Sequence, residues 1–244
     1  MTNNIYDNEE FFESYSQMER SKKGLQGAGE WQTLQSLLPD FIGKTVLDLG
    51  CGYGWHCIYA AEHGAKAVTG VDISEKMLEV ARQQTPYSNV TYLREGIEEA
   101  SFDPDQFDIV ISSLAFHYIP SFEVVAKNVH AYLKDGGQFI FSVEHPVFTA
   151  YGTQDWYYDE NGEILHFPVD NYFYEGERTA RFLGSKVTKY HKTLTTYLDG
   201  LLTNGFTINR LVEPTPPEAM LDIAGMKDEL RRPMMLIVSA TNLK

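Results

Sequence analysis

Short apolar runs and amphipathic stretches alternate through the middle of the chain. The apolar runs lack polar alternation and have the length of strands, which predicts strands buried on both faces of a parallel sheet. These runs occupy residues 45–49, 67–72, 89–93, 107–112 and 138–143. Helices are predicted from the amphipathic stretches 55–63, 74–84, 122–133 and 191–203. This alternation predicts a doubly wound α/β sheet with helices on both faces.

Two further strands, 206–212 and 234–240, are predicted near the end of the sequence. Only a short proline-rich stretch at 213–217 and the segment 219–230 lie between them, which favours an antiparallel edge pair. A uniformly parallel sheet would need another crossover helix there, and residues 219–230 could supply a short one. The predicted sheet is therefore seven-stranded and mostly parallel, with an antiparallel last strand.

The remaining segments belong to one predicted domain of residues 1–244. Residues 9–40 carry two apolar stripes that predict two helices, and we expect residues 1–40 to form an N-terminal helical cap. Residues 146–190 lose this periodicity and are rich in aromatic side chains, with a hairpin turn predicted at Asp159–Gly162. A connection this long inside a compact domain is usually a functional lid. Some of its aromatics would fill the core, and the others would cover an apolar or planar substrate.

A glycine-rich turn follows the first strand, in the run Val-Leu-Asp-Leu-Gly-Cys-Gly-Tyr-Gly at 46–54. Glycine permits a tight turn against which a ligand can lie, and strand, glycine turn and helix form the nucleotide-binding unit of a doubly wound sheet. Asp72 ends the second strand about twenty residues later, where a carboxylate can accept both ribose hydroxyls. That spacing fits NAD and S-adenosylmethionine alike. Trp55 stands where the dinucleotide fingerprint requires a small residue, which disfavours NAD.

Together, the runs 46–54 and 71–74 resemble the class I S-adenosylmethionine-dependent methyltransferases, in the branch of small-molecule and quinone-biosynthesis enzymes. The resemblance extends over residues 40–145 and implies the class I methyltransferase fold. It also implies methyl transfer from S-adenosyl-L-methionine to a small-molecule acceptor, with S-adenosyl-L-homocysteine as the product. The cofactor-binding residues expected on this basis are Tyr15, Arg20, Asp48, Gly50, Cys51, Gly52, Tyr53, Gly54, Asp72, Ile73, Met77, Ile97, Glu98, Ser113 and Leu114.

The sequence departs from the family pattern at the expected adenine site. Similar enzymes commonly carry Asp after the third strand, and Gly96 takes that place here. We therefore expect the backbone of Ile97 to recognise adenine, with Glu98 nearby. In the N-terminal cap, Tyr15 and Arg20 either close over the cofactor, as in similar methyltransferases, or only pack on the sheet edge.

Candidate catalytic residues follow the fourth and fifth strands. His117 is a candidate general base because an unperturbed histidine titrates near neutrality. The alternative is that His117 only shapes the pocket or caps the next helix. His145, after the fifth strand, is a second candidate. The Asn/Asp-Pro-Pro-Tyr motif of DNA-adenine and glutamine methyltransferases is absent from the sequence, as is the Pro-Cys nucleophile of pyrimidine methylation.

Two other functions remain open at this point. A methyltransferase-like domain could hold the cofactor without catalysing a reaction. An NAD-dependent oxidoreductase is the other alternative, which Trp55 disfavours. The acceptor, the atom that is methylated and the oligomeric state are not determined by the sequence.

Charge and cysteine usage restrict the partners further. A formal charge of −14 argues against a nucleic-acid partner, because phosphate contacts need a basic face. Cys51 and Cys57 are expected to be reduced, and no disulfide or metal framework is predicted. The N-terminus has no apolar core of a signal peptide, and no apolar run reaches membrane-spanning length. We therefore expect a cytoplasmic protein.

Overall fold

The computed structural model describes residues 4–244 and is built around a seven-stranded sheet. Its strands are β1 (Thr45–Leu49), β2 (Ala67–Asp72), β3 (Val90–Arg94), β4 (Phe107–Ser113), β5 (Leu133–Glu144), β10 (Phe206–Val212) and β11 (Met235–Asn242). The spatial order is β10-β11-β5-β4-β1-β2-β3. Strands β1 to β5 pair in parallel, whereas β11 is antiparallel to both of its neighbours. The predicted fold class is confirmed.

Helices cover both faces of the sheet and bury its strands. They are α1 (Glu9–Ser16), α2 (Glu19–Lys22), α3 (Trp31–Gln35), α4 (Trp55–Glu62), α5 (Glu75–Gln84), α6 (Phe122–Tyr132), α7 (Pro146–Thr149) and α8 (Leu194–Thr203). Alternate strand residues enter two separate buried clusters. Leu47 and Val110 belong to one, and Val46 and Ile109 to the other. Burying one such side chain contributes about 1.5–3 kcal/mol.

Side-chain caps fix where the longer helices begin. Ser74, the first residue of the predicted helical stretch 74–84, caps α5 by accepting a hydrogen bond from the Met77 amide at 3.2 Å. Thr193 caps α8 in the same way, accepting from the Thr196 amide at 3.2 Å. The prediction that this last helix begins at residue 191 was wrong by three residues, because the preceding strand extends to His191.

The N-terminal cap is more broken than the sequence pattern predicted. In place of two helices, α1, α2 and α3 are separated by turns, with 3-10 turns at Ile5–Asp7 and Gly24–Gly27. Gly24 has φ +60°, and a Cβ on Gly27 would lie 2.3 Å from the carbonyl oxygen of Glu19. The chain therefore folds back on itself at these glycines. The first three residues of the predicted cap, 1–3, lie outside the described residues.

The connection between β10 and β11 contains no α-helix. Residues 219–230, which could have supplied a crossover, form only parts of two 3-10 turns, Glu218–Met220 and Asp228–Arg231. The fifth strand also begins earlier than predicted, at Leu133. Without a crossover helix, β11 runs antiparallel beside β5.

The segment 146–190 contains two hairpins. They pair β6 (Tyr157–Tyr158) with β7 (Ile164–His166), and β8 (Gly176–Phe182) with β9 (Ser185–His191). The predicted turn between the first two strands is confirmed by a hydrogen bond of 3.1 Å from the Gly162 amide to the Asp159 carbonyl. The first hairpin lies against Arg232, whose guanidinium carbon is 4.9 Å from the Phe167 ring centre.

Across residues 4–244, no helix has both the length and the apolar composition that crossing a membrane requires. Cys51 and Cys57 are buried free thiols.

The glycine turn after β1 yields a stability prediction. Gly50 (φ +78°) and Gly43 (φ +71°) share left-handed backbone geometry, but only Gly50 is crowded: its Cβ would lie 2.4 Å from that of Ala115, whereas Gly43 has open space. Gly43→Ala should lose about 1–2 kcal/mol of unfolding free energy from backbone strain alone. Gly50→Ala should lose a further ~1–3 kcal/mol from overpacking. Urea denaturation measures both variants, and equal losses would contradict the packing argument.

Candidate functional site

A cavity of about 670 Å³ opens at the carboxyl ends of the parallel strands. Its volume falls within the range of about 300–1,000 Å³ that is usual for ligand pockets. Five parts of the chain form its wall: the N-terminal cap, the loops after β1, β2, β3 and β4, the end of β5, the β8–β9 hairpin, and the segment 214–235. The carboxyl edge of an open α/β sheet is where such folds bind their ligands.

Asp72 lies on the cavity wall at the end of β2. Its carboxylate accepts hydrogen bonds from the amides of Gly52 (2.8 Å) and Ser74 (2.9 Å). Burial raises the pKa of Asp72 above its ordinary value, although these backbone hydrogen bonds oppose the shift. A carboxylate has about four acceptor positions. Acceptor capacity therefore remains for a ligand hydroxyl group.

The glycine turn presents bare main chain to the same cavity. Gly50 and Gly52 line it, and both have positive φ. A Cβ on Gly52 would lie 3.2 Å from Cε of Met77, which is also on the wall. The turn is therefore a cradle in which an elongated ligand can lie against backbone.

Several predicted cofactor residues lie on this wall. They are Tyr15, Arg20, Gly50, Gly52, Asp72, Ile73, Met77, Ile97, Glu98, Ser113 and Leu114. Leu114 adopts φ +53° and donates its amide to the carbonyl of Ser142 at 2.9 Å. This ties the loop after β4 to β5 beside the glycine turn. Arg20 forms an ion pair with the buried carboxylate of Glu30.

The structure places four predicted cofactor residues elsewhere. Asp48 is buried beneath the glycine turn, where it accepts from the Cys57 thiol at 3.4 Å and burial raises its pKa to about 7. A Cβ on Gly54 would lie 2.1 Å from the Tyr92 hydroxyl, so this glycine serves packing. Cys51 and Tyr53 line a smaller neighbouring cavity of about 80 Å³. These four residues shape the glycine turn and do not line the main cavity.

His117 lines the cavity but is poorly suited to act as a general base. Its Nδ1 accepts the Glu144 amide at 3.4 Å, which leaves the ring proton on Nε2 when the ring is neutral. Burial lowers the pKa of His117 to about 3. A neutral ring whose lone pair is already engaged can shape a pocket or donate a hydrogen bond, which corresponds to the alternative of a pocket-shaping role.

His145 does not line the cavity. Its Nδ1 caps α7 by accepting the Val147 amide at 3.0 Å, and its Nε2 lies 2.9 Å from a carboxylate oxygen of Glu213. The expectation that His145 is catalytic therefore conflicts with its position. Strand order alone placed it at the functional edge, whereas its side chain turns away into a structural role.

Most aromatics of the insertion also lie away from the cavity. Phe182 and Tyr190 reach its wall, whereas Phe148, Trp156 and Phe167 surround Arg232 at 4.5–5.1 Å. Arg232 in turn donates to Glu229 at 2.6 Å. The hairpin β6–β7 is thereby attached to the segment 228–232.

Sequence reasoning did not assign several wall residues. Tyr6 and Tyr118 meet across the cavity, with their hydroxyls 3.1 Å apart. Glu144 ends β5 on the wall, and Met234 and Met235 lie beside it at the start of β11. Only Glu144 carried a sequence signal, namely its place at the end of a predicted strand. The others are brought there by long-range contacts.

The residues on the cavity wall fit S-adenosylmethionine. Asp72 retains acceptor capacity for a ribose, the glycine turn offers bare backbone, and Ile73, Met77 and Ile97 offer an apolar surface for a purine. The turn fits a dinucleotide less well than S-adenosylmethionine, because Trp55 begins α4 where close packing of the helix on the strand in a dinucleotide-binding fold would require a small residue.

Comparison with known proteins agrees with this geometry. A family model described as a methyltransferase domain matches residues 47–141. The chain is 32% identical to an uncharacterized protein of Haemophilus influenzae, over 98% of this chain and 97% of that one. It is 38% identical to a ubiquinone biosynthesis O-methyltransferase of Coxiella burnetii over 111 residues, covering 45% of this chain and 47% of that enzyme.

Two solved structures match nearly the whole chain. One, from Listeria monocytogenes, is a candidate S-adenosylmethionine-dependent methyltransferase that is 57% identical, with TM-score 0.87 over 91% of this chain and all of that one. The other, an S-adenosylmethionine-dependent methyltransferase from Mesorhizobium loti, is 41% identical, with TM-score 0.82 over 89% of this chain and all of that one. The chain therefore belongs to the S-adenosylmethionine-dependent methyltransferases.

Proposed function

We propose that this methyltransferase acts on a small, largely apolar acceptor that binds in the same cavity as the cofactor. One observation carries the proposal: the wall formed by Asp72 and the glycine turn is continuous with a wall formed by aromatic and methionine side chains. The first wall suits a nucleoside, and the second offers an apolar chamber beside it. The similarity to a ubiquinone biosynthesis O-methyltransferase, which extends over 47% of that enzyme, supports a small-molecule acceptor.

The residues on the wall have separate proposed roles. Asp72 accepts the ribose hydroxyls, Gly50 and Gly52 lie against the methionine part, and Ile73 and Met77 pack on the adenine. The backbone of Ile97 completes adenine recognition. The sulfonium group supplies an already activated methyl group. Positioning the acceptor can lower the barrier by about 7–11 kcal/mol, whereas a general base typically contributes ~10²–10⁴-fold.

Charge on the wall supports a small molecule over a nucleic acid. Arg20 and Lys186 are the basic side chains on it, and Arg20 is already paired with Glu30. The carboxylates on the wall outnumber them, so a phosphate backbone would meet net repulsion. His117 serves in this proposal as a pocket wall that donates from Nε2.

We also propose that the insertion acts as a lid over the acceptor. Its hairpin β8–β9 contributes Phe182, Val187 and Tyr190 to the cavity wall. Other aromatics of the insertion are exposed to solvent, among them Phe173 (87%) and Tyr174 (75%). Such exposed apolar surface on a long connection is typical of a segment that changes its contacts when a ligand binds.

Cofactor binding tests the function directly. S-adenosylmethionine or S-adenosylhomocysteine at a hundredfold excess over Kd should stabilise the protein by ~2.7 kcal/mol, because the ligand binds only the folded state. NAD and NADP should give no shift. Differential scanning fluorimetry makes the comparison, and a response to the nicotinamide nucleotides alone would refute the proposal.

The role of Asp72 is tested by Asp72→Ala. A hydrogen bond to a charged group contributes about 1.5–3 kcal/mol, so affinity for S-adenosylhomocysteine should fall at least tenfold in titration calorimetry. Asp103→Ala is the matched control, because Asp103 is exposed and outside the cavity. If the folded Asp72 variant binds as tightly as this control, Asp72 does not hold the ribose.

The lid is tested by limited proteolysis. Free protein should be cut within residues 150–185, and saturation with S-adenosylhomocysteine should slow that cutting, because the β8–β9 hairpin shares a wall with the cofactor. Arg232→Ala should speed cutting in both states by releasing the β6–β7 hairpin. Identical cutting rates for free and saturated wild-type protein would indicate a fixed structural insertion instead.

A further inference from the structure

A buried polar cluster joins the end of β5 to the insertion. The Lys189 ammonium, on β9, donates to Glu144 at 2.5 Å and to the side-chain carbonyl of Gln154 at 2.8 Å. Gln154 closes the triangle by donating to the second carboxylate oxygen of Glu144 at 2.5 Å. The side chains of Lys189 and Glu144 are only 3% and 12% exposed. Each charge is therefore compensated inside the protein.

Of these three side chains, Glu144 is the one on the cavity wall. Its carboxylate has about four acceptor positions, of which Lys189 and Gln154 occupy two. Nε2 of His117 lies 3.9 Å from Oε1, beyond hydrogen-bonding distance. Glu144 thus keeps acceptor capacity toward the cavity, where a ligand hydrogen-bond donor can reach it.

Charge balance restricts which ligand group can donate a hydrogen bond to Glu144. An aliphatic amine resembles lysine, with an ordinary pKa near 10.4, and would enter as a cation. Because Lys189 already neutralises Glu144, that cation would be buried without a counter-charge of its own. A carboxylate or phosphate would likewise be buried without a counter-charge, because Lys189 is already paired with Glu144. A thiol is a weak donor. A neutral hydroxyl group satisfies Glu144 without adding charge.

The surrounding wall indicates the shape of the molecule that carries this hydroxyl. Tyr6, Tyr118 and Phe182 supply aromatic faces and edges. Methionines supply adaptable thioether contacts, which pack well against aromatic rings. They are Met18, Met77, Met220, Met226, Met234 and Met235. This lining suits a flat aromatic ring.

We propose that Glu144 is the residue that holds and orients the acceptor, and that the acceptor is a neutral aromatic compound whose hydroxyl group is methylated. This inference rests on the proposed function. The hydroxyl oxygen forms a bond to the methyl carbon, and the carbon–sulfur bond breaks with its electron pair left on sulfur. The Glu144 carboxylate accepts the hydrogen bond of the hydroxyl group before transfer, and the proton of the methylated oxygen, which is strongly acidic, is then released to solvent water. Lys189 and Gln154 act as positioning residues that hold this carboxylate.

Binding of two probes of matched shape tests the inference without any turnover. Protein saturated with S-adenosylhomocysteine is titrated with 2-naphthol and with 2-naphthoate. The wild type should bind 2-naphthol at least tenfold more tightly. In Glu144→Gln, Lys189 loses its counter-charge, so the ratio of the two affinities should fall at least tenfold toward naphthoate. The double variant Glu144→Gln/Lys189→Met removes both charges and should lose affinity for naphthol without gaining affinity for naphthoate.

Glu213→Gln is the matched control. Glu213 also lies beside a buried base, His145, at this edge of the sheet, but it does not line the cavity. This control should keep the wild-type ratio of affinities for 2-naphthol and 2-naphthoate. Calorimetry with S-adenosylhomocysteine is run on every variant, because loss of that binding in the wild type would refute the proposed function itself. With that binding intact, three results would each overturn the assignment of Glu144. They are equal affinity of the wild type for the two probes, no binding of 2-naphthol by the wild type, and an unchanged ratio of the two affinities in both Glu144 variants.

Discussion

Hydrogen bonds between the glycine turn and the end of β2 are the interaction on which the site depends. The amides of Gly50 and Cys51 both donate to the Val71 carbonyl, at 2.8 and 2.9 Å, and the Gly52 amide donates to the Asp72 carboxylate. These bonds hold two strand ends in one geometry. They require left-handed backbone at Gly50 and Gly52, where a side chain would be strained and would also obstruct the cavity. The glycine turn on the cavity wall and the adjoining edge of the sheet are therefore held by the same contacts.

The part of the cavity wall at the end of β5 depends on buried charge instead of backbone hydrogen bonds. Lys189 and Gln154 belong to the insertion, yet both bind the Glu144 carboxylate at the end of β5. Burial alone would raise the pKa of Glu144, but the Lys189 ammonium and these hydrogen bonds hold it below the ordinary value. The carboxylate thus stays ionised on the wall. Removing either Lys189 or Glu144 would leave an uncompensated buried charge, so the insertion and the sheet are energetically linked there.

Prediction from sequence succeeded where the signal was local and failed where it required distant contacts. Period and apolar runs located the strands β1 to β4 within about two residues, because strand burial follows directly from those patterns. The N-terminal cap was harder to predict, since Gly24 packs against Trp55 of α4 and Gly27 lies against the backbone of Glu19, and neither contact shows in the apolar pattern. The positions of the two candidate catalytic histidines were harder still to predict. His117 and His145 both follow strands, but only the first lines the cavity.

The sequence by itself determined the α/β alternation, the glycine turn and the acidic end of β2, because each depends on neighbouring residues or on a fixed spacing. Tertiary structure decided which side chains meet at the cavity. Glu144 and Lys189 are separated by 45 positions in sequence, and Tyr6 and Tyr118 by 112. No local pattern encodes such pairs, because they are selected by packing among elements whose relative placement is set only when the whole core is buried.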